Sequence, residues 1–480
     1  ASEVERLYVH LGQAYVFQND WEQAQEAYEE LLAYAKQHQL AALASMTLNR
    51  LAILAIQQSN GKPTVRALLD EAWHIAEGSH DQKALAETAW NLAQITGIMW
   101  EDLTSSLRHG ELALSLARAR HDQELEARSL YILGVISLYR GDVEGTMHYV
   151  ETSLALYATI RTEPTFSGEL SLPHFVSGAP LTQALTHRTS EAWCWGLLAL
   201  TQVYAGQVLG SIHSGRRALA LSTESKNGWA QVLSTAYLTY GLLDAGAFEE
   251  ALELMQAAMA LARTLPPMLS FQRLLTALGM TYHAVQQWQE ARSTLEEAEA
   301  VAETLDLGRL RVVTLSQLCM NCALTGEWGQ AHTYAVQAMA LRESIDRAMI
   351  PQDFSFHYET EALLRGGDER QARVAAGLAA DLGLPGERWQ IQAALGTLYE
   401  AAGEPVQART AFGEAATIIQ GLAEGIKDEA LRSRFLAGPP IQQVLQQAHR
   451  VANQVPQDQA EQGGAPRRVV LQTDESWEAS

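Results

Sequence analysis

The chain has 480 residues, 47% hydrophobic but only 7% aromatic, with 34 basic against 56 acidic residues and a formal net charge of −22. This balance excludes the basic footprint on which binding to nucleic acid or an anionic membrane depends. Three cysteines (Cys194, Cys319, Cys322) form no disulfide framework, and there is neither a leader pattern nor a run of about 18 apolar residues, so a soluble, cytoplasmic protein is expected.

From its first residues the chain repeats itself. Small residues at Gly12, Ala52, Ala93, Gly134, Ala199, Thr239, Gly279, Cys319, Thr360 and Gly396 each sit inside an apolar pattern of helical period. Their spacings are 40, 41, 41, 65, 40, 40, 40, 41 and 36 residues. In nine of the ten units a second small residue follows twelve positions later, as Ala24, Ala251, Ala291 and Ala408 do. Turn signals lie between the two, such as QND (18–20), RGD (140–142), DAG (244–246) and AAGE (401–404). Each unit therefore predicts helix, short turn, helix, with the small residues marking a close approach of the two helices.

Residues 1–157 hold the first four units. The long spacing places an insert at 158–190, rich in proline and glycine yet carrying Phe166, Leu170 and Phe175, which predicts an ordered plug or lid. Units five to ten occupy 191–425, capping helices are expected over 426–452, and the polar stretch 453–480 is expected to be disordered. Trp21, Phe248, Trp288 and Trp328 all stand three residues before the second small position, a recurrence that marks a structural staple at the start of each trailing helix.

Catalytic signatures are missing from the sequence. NGKPT (60–64) shares two letters with a phosphate loop, but it lacks the upstream glycine, and proline replaces the hydroxyl residue that would hold magnesium. Cys319 and Cys322 have C-x-x-C spacing on a helix and are read as buried thiols, since zinc needs further ligands. His357, Glu361 and Arg365 are the nearest thing to an acid-base trio; at four-residue steps they predict an ion-pair ladder. No enzyme, cofactor or metal is expected.

LGMTYHAVQQWQEARSTLEEA (278–298), LGTLYEAAGEPVQARTAFGEA (395–415) and LGQAYVFQNDWEQAQEAYEE (11–30) resemble tetratricopeptide repeats. The resemblance implies an all-α fold, a right-handed superhelix of about ten hairpins with a C-terminal capping helix, whose leading helices line a concave groove. Carried over position by position, the groove face holds Trp90, Gln94, Tyr131, Tyr139, Leu200, Tyr204, Tyr240, Asp244 and Met280, with Trp193 beside the insert. Val9, Gln13, Asn49 and Ile53 occupy the positions where the family's carboxylate clamp would need Lys and Asn, which argues against that activity.

The period exceeds the family's usual 34 residues. In this it resembles the long-repeat sensor arms of bacterial signal-transduction ATPases of the STAND type. IKDEALRSRFLAGPPIQQVLQQA (426–448) is similar to the closing segment of such arrays and of their LuxR-type and cyclase-linked relatives. The implied function is a non-catalytic sensor arm that binds a protein, peptide or small effector in its groove, its upstream NTPase domain lying outside this chain. The alternative is a passive scaffold for protein assembly.

Overall fold

A computed structural model describes residues 2–453, apart from 18–19, 58–60, 99, 101, 161–182, 266–269, 346–355, 383–384 and 428. The described residues contain twenty-two helices and no strand. They divide into two units, one within Ala1–Gln317 and Leu341–Pro351, the other within Leu318–Ala340 and Gln352–Ser480.

In the first unit α1 (Ser2–Phe17) packs on α2 (Trp21–Gln37), α3 (Ala41–Gln57) on α4 (Gly61–Ser79), and α5 (Gln82–Ile98) on α6 (Leu103–Ala119). The series continues with α7 (Gln123–Tyr139) on α8 (Val143–Thr159), then α9 (Gln183–Tyr204) on α10 (Val208–Glu224). It ends with α11 (Gly228–Asp244) on α12 (Phe248–Ala262) and α13 (Ser270–Ala284) on α14 (Trp288–Thr304). The dividing line between units runs through α15 (Gly308–Leu324) and α16 (Trp328–Ser344).

In the second unit α17 (Phe356–Arg365) packs on α18 (Glu369–Leu382) and α19 (Pro385–Ala401) on α20 (Pro405–Gly425). After α21 (Glu429–Ala437), α22 (Pro439–Asn453) lays Ile441 and Val444 against the cluster of Ala415 and Ile419 on α20.

The period follows from element lengths. Helices α14, α15 and α16 are 17 residues each, joined by turns at 305–307 and 325–327, so one hairpin and its two turns consume forty residues. At about 1.5 Å per residue each helix is roughly 25 Å long. The four staple aromatics Trp21, Phe248, Trp288 and Trp328 are the first residues of α2, α12, α14 and α16.

The turns have a fixed chemistry. Helix C-termini close through a left-handed residue, with the next amide reaching back to a carbonyl of the last turn, as Asp142 does to Ser137 (2.9 Å) and Leu307 to Ala302 (3.0 Å). Within hairpins this residue is usually glycine, such as Gly141 at φ 77°. Between hairpins it is Gln39, His80, His121, Lys226 or Asp306, all at positive φ. The following helix is often capped by an acid or amide: Asp122 accepts from the Leu125 amide and Asn227 from the Ala230 amide.

Close approach within a hairpin has a particular form. The small residue of the leading helix receives a large side chain sixteen positions on. A Cβ on Gly279 would meet Leu295 at 2.6 Å, and one on Gly396 would meet Phe412 at 2.8 Å. Ala291 and Ala408, twelve positions on, are buried as well, but the recess left by glycine is filled by the knob one turn further along.

The insert expected at 158–190 falls mostly on 161–182, and the expected tail on 454–480; both lie outside the described residues. Helix α8 runs to Thr159, and α9 already begins at Gln183.

Candidate functional site

In the first unit successive leading helices pack on one another, α3 on α5, α5 on α7, α7 on α9, α9 on α11 and α11 on α13, whereas among the described residues consecutive trailing helices show no comparable packing. Such a fan sets the leading helices on the inside of the curve. Buried polar stitches join them. Asn49 on α3 donates to the Thr88 hydroxyl on α5 at 2.9 Å, and Gln272 on α13 donates to Thr314 on α15 at the same distance.

Between α5 and α7 the stitch becomes ionic. Arg128 Nη2 lies 2.7 Å from Glu87 Oε1, with both side chains over nine-tenths buried, and the same guanidinium stacks 4.5 Å from the Trp90 ring centre. Close by in sequence, the Trp90 indole N–H and the Gln94 carbonyl oxygen are buried with no protein partner, as is the Trp193 indole N–H on α9. Each buried group of this kind carries a desolvation penalty of about 1–3 kcal/mol until something satisfies it.

The curve is tight enough for distant hairpins to meet. Tyr139, at the end of α7, accepts a hydrogen bond of 2.7 Å from Arg273 on α13, and the Arg309 guanidinium of α15 lies 3.9 Å from its ring centre. At the rim Lys62 on α4 reaches the turn after α14, contacting the Asp306 carboxylate at 2.6 Å and its carbonyl at 3.1 Å. One apolar cluster joins Tyr28, Ile53 and Ile95 of the first three hairpins to Trp229, Met255 and Leu274 of the sixth and seventh.

Two inner groups report confinement. Tyr131 is partly open to solvent, yet burial pushes its phenol well above the usual range; Tyr237, Cys194 and Tyr139 act in the same direction and Arg273 pulls it back. Asp244 is reached by solvent, yet desolvation by the surrounding walls pushes its carboxyl up to about 6. Both shifts come first from protein atoms packed around the group, which disfavour its charged form.

The tetratricopeptide repeat model matches residues 7–40. The crystal structure of a Rap protein complexed with competence and sporulation factor is similar in fold over 88% of this chain and 99% of that one, at 14% identity and a TM-score of 0.51. The chain has a tetratricopeptide-like repeat fold. Aspartyl phosphate phosphatase F from Bacillus subtilis aligns over 78% of this chain and 93% of its own, at 15% identity and TM-score 0.45. A STAND protein with a tetratricopeptide repeat sensor from Pyrococcus horikoshii aligns over 84% of this chain and 53% of its own, at 10% identity and TM-score 0.42. No curated protein matches the sequence.

In this tetratricopeptide-like chain the expected groove residues fall into two sets. Trp90, Gln94, Tyr139, Trp193 and Leu200 are buried. Tyr131, Tyr204, Tyr240 and Met280 keep partial exposure, and Asp244 is the most open. Tyr131, Tyr204 and Tyr240 border one apolar cluster that includes Trp90, Tyr139, Trp193 and Leu200, so α5, α7, α9 and α11 bring together much of the expected set. Arg128, Arg273, Arg309, Glu87 and Lys62 were not anticipated. Arg128, Arg273 and Glu87 had a legible signal, since each stands six residues before the small position of its unit.

Elsewhere, Arg365 bonds to Glu361 at 2.7 Å and stacks 3.9 Å from the centre of Trp328, so two members of the expected trio form an ion pair. Cys319 and Cys322 are fully buried. Among the described residues no group of three or more His, Cys, Asp or Glu is placed to hold a metal, and no helix is long and apolar enough to cross a membrane.

Proposed function

We propose that the chain is a non-catalytic binding scaffold whose inner wall in the first unit receives an extended segment of a partner protein or a peptide. The observation that carries this reading is the clustering of partly exposed Tyr131, Tyr204 and Tyr240 on the apolar wall of Trp90, Tyr139, Trp193 and Leu200. Aromatic side chains backed by an apolar wall offer contact area at low entropy loss to the side chains of an extended segment. A peptide selected against the full chain from a random display library tests it. Trp90→Ala combined with Tyr131→Ala should weaken binding at least tenfold, about 1.4 kcal/mol; unaltered affinity removes the assignment.

A second reading is favoured by the forty-residue period and by the closing segment at 426–448. In it the array is the sensor arm of a STAND-type signal-transduction ATPase whose nucleotide module lies on a segment outside this sequence, and the occupant is a protein, peptide or small effector. Small rotations between neighbouring hairpins add along an array, so an occupant that prefers one curvature would shift the whole arm.

A further inference from the structure

We propose that two contacts across the first unit, Tyr139 with Arg273 and Arg309, and Lys62 with Asp306, form a latch that holds the inner wall closed and parts when a partner segment enters. The inference rests on the reading of that wall as a binding surface and adds its regulation.

Most contacts in a repeat array join neighbours and are needed to build the hairpins themselves. These are different, and the two differ from each other: Tyr139 and Arg309 are buried, whereas the Lys62–Asp306 pair is open to solvent. Arg273 lies 134 residues beyond Tyr139, and Asp306 lies 244 residues beyond Lys62, so both contacts exist only because the curve brings distant hairpins together. Both are polar, and at the outer one the Lys62 and Asp306 side chains are 41% and 86% exposed. Exposed ion pairs are weak and screened by salt, which suits a contact that must separate.

The apolar cluster that joins Ile53 to Met255 and Leu274, bordered by Tyr240, adds contact across the same curve. Tyr240 and Ile53 occupy groove positions of the leading helices, so apolar side chains of an incoming segment compete for the surface that the cluster uses. The polar pairs at the edges then set how readily the exchange begins. An occupant drives opening only through its preference for the open curve.

The test uses the full 480-residue chain at low salt, with X-ray scattering as the readout and far-ultraviolet circular dichroism to establish intact helices. Lys62→Glu places like charges together and should raise the radius of gyration, as should Tyr139→Ala. The charge-reversed pair, Lys62→Glu with Asp306→Lys, should return it to the wild-type value. A wild-type scattering profile for Lys62→Glu, or failure of the reversed pair to restore it, overturns the latch. Titration of the display-selected peptide separates the two proposals: binding with unchanged dimensions in the variants removes only the latch, whereas expanded variants whose peptide affinity ignores Trp90 and Tyr131 remove the binding surface.

Discussion

Leu295 occupies the recess that a side chain on Gly279 would fill, its Cγ and Cδ2 both 2.6 Å from where a Cβ would stand. The leading and trailing helices of the seventh hairpin can therefore keep their spacing only while residue 279 has no side chain. Gly279→Leu should destabilise the first unit by about 1–3 kcal/mol through overpacking. Gly413→Ala is the control, since it lies on an exposed face inside α20 with nothing within 4 Å of its would-be Cβ. It should stabilise by up to about 1 kcal/mol through helix propensity alone. Urea denaturation of the two variants checks both signs.

The Glu87–Arg128 pair is buried on both sides and lies under the Trp90 ring's cation contact. Glu87→Ala leaves a guanidinium without its 2.7 Å carboxylate partner in a dry wall and should cost about 3–5 kcal/mol, whereas replacing both residues by apolar ones of similar volume should cost much less. The double-mutant comparison by chemical denaturation reads this directly. Equal losses in the single and double variants would show that the pair does not act as a unit.

Two titratable groups should give the stability opposite slopes with pH. Burial holds the His283 imidazole down at about 4, against an ordinary 6.5, while a hydrogen bond with Gln317 opposes it. The unfolded chain therefore takes up this proton first: the contribution is fully present above pH 6.5 and is lost as pH falls from there toward 4. His283→Gln should flatten that loss. Asp244 runs the other way, because its carboxyl titrates at about 6 rather than 3.8. Its contribution is present below pH 3.8 and lost as pH rises through 6, so Asp244→Asn should raise the melting temperature at pH 7 and leave it little changed at pH 3.5. Thermal denaturation across pH 3.5 to 7.5 checks both; identical pH profiles for wild type and variants would contradict the assignment.

The hairpins were legible because each is encoded locally. The small residue, the turn signal and the staple aromatic recur at fixed offsets, and the helix starts at Trp21, Phe248, Trp288 and Trp328 sit where that recurrence places them. The pattern does not show that Leu295 fills the recess at Gly279, because Ala291 and Leu295 share a face of α14 and periodicity alone does not distinguish them. Contacts across the curve were not legible. Nothing in the unit containing Tyr139 points to Arg273, since curvature arises from small rotations summed over several hairpins and leaves no mark in any one of them. The inner-wall arginines could have been noticed from their shared register, but the pairing of Arg128 with Glu87 and of Arg273 with Tyr139 depends on which helices become neighbours and which meet across the unit.

The proposed binding places a partner segment against the inner wall formed by the leading helices. Photo-crosslinking of the display-selected peptide tests it most directly, with p-benzoylphenylalanine placed at Tyr240 on α11 in one variant and at Leu209, 83% exposed on α10, in another. The account predicts a covalent adduct from position 240 and none from 209. An adduct from 209 with none from 240 would place the segment on the outside of the array and contradict it.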